Sequence, residues 1–317
     1  MKLTILAAAL ALAATAPGSP ARPAGALDRV RAEGVLHCGA EERPGFAAVS
    51  AMGASGVAVD LCRAVAVAIL GPEARSRIRL YDSDRAFDAL RHGDDELAFL
   101  SGSAIMEHRL GAALLPGPTV FIDGIGVMVP QDSPVHAMAD LDGRTVCLMI
   151  GGAGQRALEA AADRLHLRIG RIGFQEDVEM LDAYNVQHCQ AAVGETTYLA
   201  AMRQSSGVNH LSSRLLPPLL LEPLIAATSV QDGAWSALIY WIINGVMRSG
   251  RMASGWDADA VPVDPALLGL RGDWQSVMAE QVGSYADIIR RNLGQGLRLD
   301  AGPNALWPEG MFVPPTR

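Results

Sequence analysis

Gly151-Gly152-Ala153-Gly154 follows an apolar run, Thr145 to Ile150, and precedes a helical pattern from Gln155 to Leu165. Strand, glycine loop and helix in that order present free backbone N–H groups at a helix N-terminus, a layout that binds anions. The loop matches neither G-x-x-x-x-G-K-[ST] nor G-x-G-x-x-G, which argues against a nucleotide; a carboxylate would suit the same cradle. The seven histidines form no H-x-x-x-H or H-x-H pair, so neither a metal nor any other cofactor is expected. No G-x-S-x-G nucleophile elbow is present. Asp94-Asp95-Glu96 reads as a solvated acidic turn after a helix. The cysteines are Cys38, Cys62, Cys147 and Cys189, with no C-x-x-C pair to suggest zinc or thioredoxin chemistry. Four cysteines allow three pairings. Cys38–Cys62 with Cys147–Cys189 keeps each bridge within one half of the chain, and is the favoured one.

The elements that would position these residues alternate. Val35 to Gly39 reads as a strand and Asp60 to Leu70 as a helix, with Leu61, Val65, Ala68 and Ile69 on one face and Gly71-Pro72 as its stop. Ile78 to Tyr81, Leu97 to Leu100 and Gly124 to Val129 read as strands, with a short helix from Asp84 to His92. Pro217-Pro218 and Glu222-Pro223 mark a boundary. Trp235 to Met247 and Trp274 to Asn292 read as helical, and Gly302 to Arg317 as an irregular tail. The alternation indicates α/β architecture.

The chain of 317 residues is half hydrophobic, with 26 basic and 34 acidic side chains and a net charge of −8. That composition excludes disorder. The acidic surplus excludes a nucleic-acid partner. Lys2, twelve apolar or small residues from Leu3 to Ala14, and Ala24-Gly25-Ala26 read as a secretory signal, cut after Ala26. Removing residues 1–26 takes away Lys2, the only lysine, and Arg22, which leaves a mature charge of −10. Export would permit disulfides.

A set of ordered motifs then resembles a known family. The motifs are Gly34-Val-Leu-His-Cys-Gly39, Pro44-Gly45-Phe46, Val59-Asp60-Leu-Cys62-Arg-Ala-Val-Ala66, Phe87-Asp-Ala-Leu-Arg-His-Gly93, Asp123-Gly124 and Glu222-Pro223-Leu224. The tail adds Asp273-Trp274, Val282-Gly283-Ser-Tyr285, Arg291-Asn292, Asn304-Ala-Leu-Trp307 and Pro314-Pro315-Thr-Arg317. From Leu27 to Arg317 the chain is similar to the periplasmic solute-binding proteins of polar amino-acid ABC transporters, in particular the general L-amino-acid-binding branch. The resemblance implies a type II fold of two α/β lobes joined by two crossover strands at the hinge. Lobe 1 would be residues 27–123 and 224–317, and lobe 2 residues 124–223. A ligand would be trapped between the lobes and delivered to a membrane permease, with no catalysis. Cyclohexadienyl dehydratases on the same fold are the enzyme alternative, for which Glu195 and His108 would be the acid–base candidates. A ligand sensor is the other.

The resemblance also assigns a site. Arg109 falls on the family's carboxylate-binding arginine, a bidentate partner. Ser101 falls on a polar cleft position, with Ser103 beside it. Ala104 and Met106 stand where hydroxyl residues are common. Gly151, Gly152 and Ala153 occupy the helix N-terminal stretch, where a glycine is kept and two threonines are lost. Glu195 stands where the family carries an aspartate for the ammonium, one methylene longer. Phe46 is expected to cover the ligand's aliphatic part, and Ala58 replaces a familiar acid.

Overall fold

The computed structural model describes residues 25–51, 53–107, 114–204, 212–252 and 264–313. Most of the expected signal segment (1–24), His108, Arg109 and the last tail motif (314–317) lie outside the described residues. In chain order the strands are β1 Val35–Glu41, β2 Ala48–Ser50, β3 Gly53–Ser55, β4 Arg75–Tyr81, β5 Leu97–Ser101, β6 Leu114–Pro130, β7 Thr145–Met149, β8 Gly170–Phe174, β9 Ala191–Glu195, β10 Ser213–Leu215 and β11 Leu220–Ser229. The α-helices are α1 Ala26–Glu33, α2 Val57–Leu70, α3 Ser83–His92, α4 Gly102–Glu107, α5 Ala153–Leu165, α6 Asp177–Asn185, α7 Thr196–Gln204, α8 Gly233–Met252, α9 Trp274–Val282 and α10 Tyr285–Ile289.

One sheet runs β4-β1-β5-β11-β6-β9-β7-β8, with β10 beside β6. Each half is parallel where the chain returns through a helix: β1 with β4 and β5, and β7 with β8 and β9. The two halves meet through β6 and β11. Leu114 to Ile125 of β6 pair antiparallel with β11, and Ile125 to Met128 pair with β9. Leu224 to Ala227 of β11 pair with β5. Among the described residues the backbone passes between the half-sheets along Ile122–Ile125 of β6 and Leu220–Pro223 of β11.

Why the chain can cross there is local. Gly124 is tight against the other strand: a Cβ on it would stand 2.8 Å from Pro218 Cβ and 2.9 Å from Leu220 O. Pro223, which has no N–H, stands opposite Ile122. The Asn304 side-chain amide takes both backbone groups of Ile122, with Ile122 N–H to Oδ1 at 2.7 Å and Nδ2 to Ile122 O at 2.8 Å. Tyr285 Oη donates to Val120 O at 3.0 Å. The tail, read from sequence as irregular, thus secures one crossing strand by side chains.

The largest core lies between the first half-sheet and α2, α8, α9 and α10. α2 was expected to have one apolar face, yet it is buried almost all round, because β1, β4, α8 and α9 enclose it. Asp60 on its outer side accepts from Arg291 at 2.8 Å and Asn292 at 2.7 Å. Two smaller cores cover the faces of the second half-sheet, one under α5 and one under α6 and α7. The expected helix from Trp274 to Asn292 breaks at Gly283-Ser284, where φ is +92° at Gly283 and Ser284 with Asp287 forms a capping box. Among the described residues no helix is long and apolar enough to cross a membrane.

Ala26 opens α1, is 4% exposed, and donates its N–H to Asp232 at 2.8 Å. One reading of local sequence is corrected. Asp95 and Glu96, read as solvated, are buried. Arg79 holds Asp95 at 2.6 Å, the His37 N–H donates to Glu96 at 3.1 Å, and Trp235 Nε1 donates to the Glu96 carbonyl at 2.7 Å. Burial pushes both carboxyls above the ordinary carboxylate range, Asp95 against the pull of Arg79. A carboxyl whose folded pKa exceeds its unfolded one keeps its proton longer when folded. Its contribution to stability is largest below the unfolded pKa and is lost as pH rises through the folded one. Relative to wild type, Asp95→Asn/Glu96→Gln is expected to flatten the fall in urea midpoint as pH rises above the ordinary carboxylate range. An unchanged pH slope would contradict the shifts.

Candidate functional site

Glu41 ends β1, Ser101 ends β5, Met149 ends β7 and Glu195 ends β9. These are carboxyl ends of parallel strands, outside which open α/β sheets bind ligands. On the first half, Ser101 is buried, and both its N–H and its Oγ donate to Glu41 Oε1 at 3.1 Å. Ser103 N–H donates to Glu222 Oε1 on β11 at 2.8 Å. Ala104 is buried and Met106 is exposed. A cavity of about 570 Å³ opens beside them, lined by Glu41, Glu42, Tyr81, Asp82, Ser101 and Ser103 among others, with Arg156 from α5 as its wall from the second half.

On the second half, β7 turns sharply through Gly151, whose φ of +73° suits glycine. Gly152 is the N-cap of α5 and offers no side-chain cap to the first amides of the helix. The Gly151 N–H itself is taken by Gln155 Oε1 at 2.9 Å, and Arg156 Nη1 donates to the Gly151 carbonyl at 2.8 Å. The anion cradle is therefore confined to the amides that follow Gly152. The helix start packs directly on the end of β9, since a Cβ on Gly154 would lie 3.3 Å from Gly194 Cα. That places the Gly151–Ala153 loop near Glu195. Glu195 is half-buried, pairs through its backbone with Ile125, and its carboxylate has no hydrogen-bond or ion-pair partner among the described residues.

The structure thus groups the expected residues in two sets, Ser101 with Ser103, and Gly151, Gly152 and Ala153 with Glu195. The cavity lining contains the first set and not the second. Phe46 belongs to neither. It is fully buried against Phe99 and Phe121, with ring centroids 6.4 and 5.3 Å away, so its ring packs the core and leaves no surface to cover a ligand. Ala58 is likewise fully buried. Cys38 is bonded to Cys62 and Cys147 to Cys189, each bridge within one half-sheet's territory.

The way the Asp123-Gly124 pair gathers Arg43, Thr196 and Thr197 was not anticipated from sequence. Asp123, in the crossing stretch of β6, is 3% exposed and receives four donors. They are Arg43 Nη1 at 2.9 Å, Thr197 Oγ1 at 2.6 Å, Thr197 N–H at 3.3 Å and Gly124 N–H at 2.8 Å. Thr196 Oγ1 adds a bond to the Gly124 carbonyl at 3.1 Å. Arg43 follows the end of β1, and Thr196 and Thr197 open α7, so one carboxylate joins both half-sheets at their crossing. The sequence signal was the Asp123-Gly124 pair itself, read only as a crossover mark.

No family model matches the chain. Two curated relatives span it entirely. The general L-amino acid-binding periplasmic protein AapJ of Rhizobium johnstonii is 27% identical over 342 residues, covering 100% of both chains. The glutamate/glutamine/aspartate/asparagine-binding protein BztA of Rhodobacter capsulatus is 26% identical over 343 residues, again 100% of both. Among solved structures, an ABC transporter periplasmic binding protein from Brucella ovis with glutathione bound has a TM-score of 0.73 at 24% identity, covering 90% of this chain and 97% of that one. The chain therefore has the two-lobed type II fold with two crossover strands at its hinge, and is a full-length relative of the binding proteins of amino-acid ABC transporters.

Proposed function

We propose that this protein is an extracytoplasmic solute-binding protein that captures an amino acid, or a related small carboxylate, between two lobes and delivers it to the permease of an ABC transporter. The observation that carries the reading is the full-length match to AapJ and BztA. The convergence of strand carboxyl ends from both half-sheets supports it. Lobe 1 comprises residues 27–123 and 224–317, and lobe 2 residues 124–223. Arg109 and the uncapped amides after Gly152 take the ligand carboxylate, and Glu195 takes its ammonium. Burying both ligand charges requires such partners. Ser101 and Ser103 line the facing wall. The lobes close about Ile122–Ile125 and Leu220–Pro223.

A binding protein with this site does no chemistry, in keeping with relatives that are binding proteins. A thermal-shift screen of the twenty amino acids and glutathione tests the reading. At a hundred times Kd, a ligand is expected to stabilise the fold by about 2.7 kcal/mol. No response from any amino acid would sink it. Turnover of prephenate or arogenate, abolished by Glu195→Gln, would favour the dehydratase alternative.

Export to the periplasm follows from the signal-like N-terminus. Ala26 is part of the folded chain, so the mature N-terminus is expected at or before Gly25. Intact mass of the exported protein decides this, and a chain beginning at Leu27 would contradict it.

A further inference from the structure

The two halves also touch at the far end of α7, which packs on the second half-sheet through Leu199 and Met202. Its last residues, Arg203 and Gln204, reach across to the first half. Arg203 Nη2 donates to the Arg298 carbonyl at 2.9 Å and to the Leu297 carbonyl at 3.5 Å, and Gln204 Nε2 donates to the Gly296 carbonyl at 3.3 Å. These acceptors end the helical stretch that begins with α10, widens into a π-helical turn over Arg290–Gln295, and stops where Arg298 takes a φ of +51°. The last carbonyls of a helix have no partner within it and carry the negative end of its dipole. Here a guanidinium from the other half supplies both the donor and the charge. The acceptors are fixed in the first half, since Leu293 and Leu297 belong to its large core and a Cβ on Gly45 would lie 2.7 Å from Leu297 Cδ1.

This cap and the cavity lie on opposite faces of the sheet. Along β5, Ala98 and Leu100 face the core under α3 and α4, whereas Leu97 and Phe99 face the large core that holds Leu297. Along β7, Val146 and Leu148 face α5, whereas Cys147 faces α6 and α7. The cavity is walled by Arg85 of α3, Ser103 and Glu107 of α4 and Arg156 of α5. The cap joins elements of the other two faces. The crossing strands therefore run between cap and cavity, and a rotation about them that narrows the cavity pulls the cap apart. We propose that Arg203 is a positioning residue for ligand capture: its cap on the 296–298 carbonyls holds the halves open, and closure over a ligand must break it. The cap thereby lowers the closed fraction of the ligand-free protein and, with it, the apparent affinity. Gln204, with a neutral and longer bond, contributes less. The effect on affinity rests on the reading of the cleft as an amino-acid site, and the effect on opening does not.

The first test measures distances by double electron–electron resonance in the ligand-free, disulfide-bonded protein. Spin labels are placed at Asp88→Cys on α3 and Ala160→Cys on α5, both exposed positions. Arg203→Met keeps the stem and removes the donors, and is expected to move population toward shorter distances. Arg203→Lys, which keeps the charge, is expected to restore part of the wild-type distribution. An unchanged distribution in Arg203→Met, or one shifted to longer distances, would overturn the proposal. The second test is calorimetric titration of the unlabelled proteins with glutamine, glutamate, arginine and leucine. Whichever of these wild type binds is expected to bind Arg203→Met at least threefold tighter, although the urea midpoint of the variant does not rise. A merely structural role would lower stability and affinity together, so equal or weaker binding also overturns the proposal. Binding of none of the four by wild type would count against the amino-acid reading and leave the distances to decide the cap. Should Arg203→Met fold poorly, Gln204→Ala is read in the same way, with a smaller shift in the same direction.

Discussion

Asp123→Ala is expected to lower the unfolding free energy by about 3–5 kcal/mol, the usual cost of removing one member of a buried charge pair. Arg43 would keep its charge at 14% side-chain exposure with its partner gone, and its Nε already lacks one. Thr197 would lose the acceptor of a 2.6 Å bond in the same step. Arg43→Met is expected to cost less, about 1.5–3 kcal/mol, because Asp123 keeps three neutral donors. Urea denaturation of the three proteins measures both numbers. A loss below about 1 kcal/mol in Asp123→Ala would show that the node is not a structural support. The variant is also informative about closure. A carboxylate gripped by Arg43 from one half-sheet and Thr197 from the other limits how far the crossing strands can bend. Ligand affinity should change together with stability, because the balance of open and closed forms sets the apparent affinity.

The second large effect concerns the bridge in the second half-sheet. Cys147–Cys189 closes a loop with a sequence separation of 42, and chain-entropy arguments assign such a loop roughly 4 kcal/mol. Cys147→Ser/Cys189→Ser is expected to lose about that much, and to lose it locally. The buried tryptophans Trp235 and Trp274 both belong to the larger core against the first half-sheet. Circular dichroism should therefore register unfolding at lower urea than tryptophan fluorescence does in this variant. Coincident transitions would mean that the two half-sheets unfold as one unit.

The architecture was legible because its signals are short-range. Val35, Leu97 and Thr145 open strands at the expected places, and helices α2, α3 and α5 are capped at Gly71, Gly93 and His166, near their expected ends. What escaped sequence depends on distant partners. β6 runs to 17 residues because β11, about a hundred positions away, pairs with its first part. Asp95 and Glu96 look like a polar turn, until Arg79 and the His37 amide make burial tolerable. Phe46 gave no local sign of whether its ring faced a cleft or Phe121. Glu41 gained its partner only when β5 brought Ser101 beside it. In each case the decisive atom sits on another strand, and periodicity along one segment carries no record of it.

The pairing of Asn304 with Ile122 has a consequence for synthesis. A chain made from its N-terminus has β6 available long before residue 304 leaves the ribosome. The second half-sheet, whose strands β7 to β10 are contiguous, can assemble during that interval. The first cannot be completed until α8, α9, α10 and Asn304 have emerged, since they supply much of its core and the bonds to Ile122. Asn304 therefore closes the first half-sheet only late in synthesis. A chain that stops short of Asn304 lacks both side-chain bonds to Ile122.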